Sequence, residues 1–212
     1  MTRALPFAAT AAAAIVLSGC ALLSTPDPVQ LYRFGSVPAE AAPGAPSART
    51  TSVAMRRITF PDATRAQRIL GVTGSEAAYI GGARWVSDAD TLFTDNLQNA
   101  FAERSRSTRI IGRQELTPAD VSLDLDVRSF EARYEYEGAA PTVVIAARGR
   151  ILGFPDRQVI AERNFSVSQP AGENRVSAIV QAFDVASRDI NTQIIDWTDQ
   201  VAASRPPAPP AD

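Results

Sequence analysis

The sequence predicts an α+β fold: a mostly antiparallel sheet with two long helices packed on one face, preceded by an N-terminal leader. Three observations carry this. Val121, Leu123, Leu125 and Val127 alternate with Ser122, Asp124, Asp126 and Arg128, the period of a half-buried strand. Val176, Ile179, Val180, Phe183, Ala186, Ile190, Ile194, Trp197 and Val201 recur at steps of three and four, one apolar seam along a long helix. Leu17-Ser18-Gly19-Cys20 places the only cysteine of the chain directly after a hydrophobic stretch.

The leader spans 1–19, with Arg3 ahead of an Ala-rich run ending Ala14-Ile15-Val16-Leu17, the layout of a secretory signal. Its apolar run is short for a bilayer span and carries Pro6 near its start. Leu-Ser-Gly-Cys resembles the bacterial lipobox, in which the thiol is alkylated by diacylglycerol and becomes the first residue of the mature chain. The leader is thus a lipoprotein signal peptide and Cys20 the lipidation site, carrying a diacylglycerol and an N-acyl chain such as palmitate. No other cofactor and no metal are expected. At roughly 0.8 kcal/mol per buried methylene, several acyl chains hold a domain far more firmly than one. Residues 20–28 then form a lipidated tether of at most ~30 Å.

Each element follows in order. Val29 to Phe34 alternates as a first strand closed by Gly35, and the Pro- and Ala-rich stretch 36–48 is a surface loop. Thr51 to Phe60 reads as a strand ended by Pro61. Gln67–Thr73 and Ala77–Val86 form a hairpin across Gly74-Ser75. At Ser87 the period changes: Ser87 or Asp88 can cap a helix with Leu92, Phe93, Leu97, Ala100 and Phe101 on one face, fraying near Arg104 to Ser107. Thr108–Gly112 is a short strand and Pro118-Ala119-Asp120 a turn. The strand from Val121 should continue to Tyr136, followed by Thr142–Leu152 and Gln158–Val167 around the turn Gly153-Phe154-Pro155-Asp156. A helix over Asn174–Val201 closes a domain spanning 29–203, and 204–212 is a Pro-rich disordered tail.

Composition removes most chemistry. The chain holds 21 basic and 23 acidic residues, a net charge of −2 that argues against a nucleic-acid partner. With one cysteine, no intrachain disulfide can form. There is no histidine, and every cation is arginine, so Ser-His-Asp systems, imidazole metal sites, Walker A loops and Schiff-base lysines are all excluded. Carboxylates, hydroxyls and arginine remain. Asp124 and Asp126 share a strand face, as acid/base work or Ca²⁺ binding would need, although the solvent side of an amphipathic strand is the plainer reading of both. Asp88 and Asp90 could hold a cation, but suit a helix N-terminus. Tyr134-Glu135-Tyr136 with Arg128 and Arg133 offers the residue types that anchor protein interfaces, and these four side chains, Arg128, Arg133, Tyr134 and Tyr136, are the candidate partner-binding surface. An ordinary edge strand is the plainer reading of the same residues.

The order of segments is also familiar. A lipobox, then Gln30-Leu31-Tyr32-Arg33-Phe34, then Val53-Ala54-Met55-Arg56-Arg57-Ile58 with Pro61 shortly after, then Ala83-Arg84-Trp85-Val86 leading into a helix with Asp95-Asn96-Leu97, resembles the ABC-type transport auxiliary lipoproteins, the PqiC-type (YmbA-like) partners of MCE lipid-transport systems. Ala182-Phe183-Asp184-Val185-Ala186 and Ile194-Ile195-Asp196-Trp197 are similar to that family's ending. The resemblance implies a non-catalytic, periplasm-facing lipoprotein that supports an MCE-domain protein, an ABC permease and an ATPase in moving phospholipid or other apolar molecules between inner and outer membranes. It also implies a homo-oligomeric ring as one mode of assembly. Ala21 is not the Asp that retains lipoproteins in the inner membrane, which favours the periplasmic leaflet of the outer membrane over the inner membrane's periplasmic face. Two other readings stand beside it: a lipid-binding or envelope-assembly lipoprotein working alone, which needs a deep apolar cavity between sheet and helices, and a carboxylate-based hydrolase, which needs two carboxylates converging in a cleft.

Overall fold

In the computed structural model the described residues are 28–35, 50–112, 115, 118–153 and 156–204. In chain order the elements are β1 (Gln30–Tyr32), β2 (Thr51–Met55), β3 (Arg68–Thr73), β4 (Glu76–Trp85), helix α1 (Ala89–Arg104), β5 (Thr108–Ile111), β6 (Val121–Tyr134), β7 (Thr142–Gly153), β8 (Val159–Pro170) and helix α2 (Val176–Ala203). The leader, nearly all of the tether, the loop 36–48, the Phe154-Pro155 turn and the tail from 205 lie outside the described residues.

The alternating segment at Val121 becomes the longest strand, and the eight-stranded sheet is organised around it. One edge of β6 pairs antiparallel with β7, from Val121↔Gly153 to Arg133↔Thr142, and β8 follows antiparallel on β7. The other edge is shared. Its first residues pair with β2 (Val53↔Val121, Met55↔Leu123) and its last with β3 (Gly71↔Ala132, Thr73↔Tyr134), both parallel. Between them the chain after Met55 stays beside β6: the Thr59 amide donates to the Leu125 carbonyl at 3.0 Å and the Val127 amide to the Thr59 carbonyl at 2.8 Å. β5 lies outside β2 and β1 outside β4, each parallel, while β3 and β4 form the expected hairpin with Gly74 at φ +58°. The long ladders are therefore antiparallel, as expected, and the short ones mostly parallel. The strand expected over Thr51–Phe60 ladders only to Met55 and resumes as a single bridge at Thr59.

Both helices cover the same side of the sheet, because one ring touches residues from each. Phe130 of β6 lies 6.3 Å from Phe93 of α1 and 4.9 Å from Phe183 of α2, centroid to centroid. Phe34, Phe60 and Trp85 complete the cluster at 5.3, 5.6 and 6.4 Å from the same ring. Such interlocked aromatic pairs contribute beyond the area they bury. Farther along α2, Trp197 meets Phe165 edge-on at 5.5 Å. Gly149 makes that contact possible: a Cβ there would lie 3.0 Å from both rings.

Two details of the helices depart from the sequence pattern. Asp88 occupies the N-cap of α1 but its carboxylate makes no capping bond. The amides of Ala89 and Asp90 are taken instead by the carbonyls of Ala66 and Arg65, at 3.3 and 3.2 Å, so the preceding loop does the capping. On α2 the apolar seam is flanked by buried Ser187, Asn191 and Thr198, of which Thr198 donates to the Ile194 carbonyl at 2.7 Å. The C-terminal ends of the helices are tied together. Arg104 grips Asp196 through Nε and Nη2 at 2.9 and 2.8 Å, and Asp199 accepts bonds from Ser105 Oγ, the Arg106 amide and Thr108 Oγ1 at 2.7–2.8 Å.

Candidate functional site

The sheet side away from the helices is open, and strand alternation decides what it carries. Across β6, β7 and β8 it carries charge in rows. Arg150 Nη2 donates to Asp124 Oδ2 at 2.6 Å, Arg148 Nη2 to Glu162 Oε2 at 2.5 Å, and Arg128 Nε faces Asp126 Oδ2 at 3.5 Å. Three guanidinium groups meet three carboxylates. The Arg148 hydrogen bond, aided by Arg148, Arg150 and Arg128 charges, holds the Glu162 carboxyl below its ordinary range, and Glu162 in turn raises Arg148. Asp124 and Asp126 thus each face a guanidinium rather than converging on a common point, which is not the geometry of an acid/base pair. Among the described residues no cluster of three His, Cys, Asp or Glu side chains could hold a metal ion.

The four candidate docking residues do not form one surface. β6 lies inside the sheet with neighbours on both sides, so they are not on an edge strand. Its pairing with β7 slips between Val127 and Ser129, an extra residue at Arg128 that reverses the alternation beyond it. Arg128 and Arg133 consequently both point from the open side, Arg133 bonding Glu131 at 2.8 Å. Tyr134 lies on the helix side, where a Cβ on Gly71 would sit 3.1 Å from its ring. Burial lifts its phenol above the ordinary value of 10.0. Tyr136 stands beyond the strand end and is 65% exposed. Cys20 lies outside the described residues.

Among the described residues two open clefts stand beside the core. One, about 830 Å³, runs between α1 and the β2–β5 edge over Met55, Arg56, Arg57, Asp95, Phe101 and Ile110. The sequence pattern did not single it out, because its walls come from segments distant in sequence. Yet Arg56, Arg57 and Asp95 belong to the Val53–Ile58 and Asp95–Leu97 motifs, which the fold brings face to face. The other, about 770 Å³, is lined by Gly71, Ala78, Tyr79, Ile80 and Tyr134 at the far end of the β3–β4 hairpin. No helix among the described residues is long and apolar enough to cross a membrane.

Comparison with known proteins places this geometry. The model of a family described as the ABC-type transport auxiliary lipoprotein component matches residues 32–195. A crystal structure of a Xanthomonas campestris protein superposes with a TM-score of 0.73 at 23% identity, covering 82% of this chain and 97% of that one. A hypothetical protein from Chlamydia trachomatis gives 0.52 at 10% identity, covering 74% and 99%. At these identities the likeness concerns the fold. A search of curated proteins finds no match.

Proposed function

The chain belongs to the ABC-type transport auxiliary lipoprotein component family, and on that premise we propose that it is a non-catalytic, periplasm-facing lipoprotein subunit of an MCE/ABC-type system. It acts by docking to an MCE-domain protein that works with an ABC permease and ATPase, moving phospholipid or another apolar molecule between the two membranes. Its anchor is the acylated Cys20, its place the periplasmic leaflet of the outer membrane, and its chemistry that of surfaces rather than of a catalytic group.

The observation that carries this reading is the filled interior. Phe34, Phe60, Trp85, Phe93, Phe130 and Phe183 interlock where a lipid carrier working alone would need an acyl-sized cavity between sheet and helices. Docking through the open side at Arg128 and Arg133 and through exposed Tyr136 is retained as the partner surface, with Tyr134 placed behind it. Mild-detergent co-purification tests the function: an MCE-domain protein and its permease should be recovered with the lipoprotein, and their repeated absence overturns the reading. Arg133→Glu and Tyr136→Ala, each made singly, should weaken that recovery without changing the melting temperature. Unchanged recovery in both moves docking elsewhere. Cys20→Ser should abolish acylation and leave the precursor uncleaved; normal processing of that variant would remove the anchor.

A further inference from the structure

The open side of the sheet has a second half that the ion-pair rows do not reach. Across β3, β4 and β1 the register sets Arg68 beside Arg84 and Arg84 beside Leu31, all on one side. Like charges directly opposite one another destabilise a sheet, so this row calls for an explanation outside the fold. Arg68 lies over the Tyr79 ring at 3.7 Å, and no described carboxylate pairs with it, with Arg84 or with exposed Arg33. Around these cations stand apolar side chains that the core does not use: Val29 is 46% exposed, Leu31 54% and Val86 42%. Guanidinium groups interleaved with aliphatic side chains are what the headgroup region of a bilayer accommodates, apolar groups dipping inward and arginines meeting phosphate.

We infer that this face of β1, β4 and β3 rests on the anionic phospholipid surface to which the chain is anchored. The placement of the chain supports a lipid occupant over a protein one. The chain from Cys20 enters the fold through β1, with at most ~30 Å between the acyl groups and Val29, so the β1 edge is the part of the sheet tethered nearest the headgroups, and its arginine-bearing side is the one suited to meet them. The surface charge of the leaflet complements the row, each arginine near it being favoured. The inference rests on the lipid anchor at Cys20 and adds an orientation to it: the domain lies against the membrane through its first strand, with α1, α2 and the β6–β8 face left for partners.

The single native cysteine makes the test direct, since acylation blocks it and a second cysteine can be labelled alone. Acylated Leu31→Cys, carrying an environment-sensitive fluorophore, is placed in phosphatidylglycerol vesicles beside Gln181→Cys on the exposed side of α2. The label at 31 should shift to shorter wavelength and be quenched by brominated acyl chains, while the label at 181 stays in water. Adding Arg84→Ala should move the docked-to-undocked ratio roughly fivefold toward water. A label at 31 as wet as that at 181 overturns the inference while leaving the anchor intact. An equal shift in phosphatidylcholine overturns the role given to the arginines. A chain recovered without acyl groups overturns the anchor reading first, and this one with it.

Discussion

The two halves of the open sheet side hold similar numbers of arginines and use them in opposite ways. Over β6, β7 and β8, Arg128, Arg148 and Arg150 face Asp126, Glu162 and Asp124, and the long ladder presents a balanced surface to solvent. Over β3, β4 and β1, Arg68 and Arg84 stand opposite each other, Arg68 lies over an aromatic ring, and exposed Arg33 and aliphatic side chains follow along β1. Folding alone accounts for the first arrangement, because each carboxylate finds its cation across one strand. It does not account for the second. Charge left unmatched beside apolar surface marks where a fold expects something else to complete it.

Both halves share one core, and the largest expected effect comes from breaking it. Phe183→Ala and Trp197→Ala should each cost about 3 to 5 kcal/mol, removing a ring from beneath the β3–β4 end and the β7–β8 end respectively. Thermal melts should show one transition in both variants, and two separated transitions would mean the halves are independent units. Gly149→Ala comes next, at roughly 1 to 3 kcal/mol, because its Cβ would press on Phe165 and Trp197. Smaller, and sharper for the comparison, is the contrast between two exposed arginines. Arg150→Ala should destabilise by about 0.2 to 1 kcal/mol by releasing Asp124. Arg84→Ala should be neutral or slightly stabilising, since it separates like charges. Chemical denaturation giving equal losses for both would erase the distinction between the halves. The smallest effect is in pH. Glu162 titrates lower when folded, so its contribution is complete above its ordinary value of 4.5 and fades as pH falls through the folded value. Titrating melts from about pH 6 to about pH 3 should show a shallower decline in Arg148→Ala than in the parent chain.

Much of this was legible in the sequence. The alternation at Val121 gave the central strand, the seam from Ile179 to Trp197 gave α2, and Gly74-Ser75 gave the β3–β4 turn, because each is a local pattern with a fixed period. Parallel pairing was not legible: nothing near Val53 announces Val121, and nothing near Gly71 announces Ala132. The bulge at Arg128 was equally silent, and that single extra residue puts Arg128 on the side of Arg133 and separates it from Tyr134. The charge contrast on the open side was invisible for the same reason, since Arg68 and Arg84 become neighbours only through the hairpin.

The shared edge of β6 has a further consequence, for time rather than stability. During synthesis β2 and β3 emerge well before the strand both must pair with, for β6 begins only at Val121. The β6–β7–β8 meander closes through short turns, whereas seating β2 and β3 requires loops of some sixty residues to close around it. Until then two short strands wait with unpaired edges, the surface on which chains stick to one another. A protein built this way closes its last three strands through short turns and seats β2 and β3 only once β6 is present, so its vulnerable interval is the one before β6 arrives.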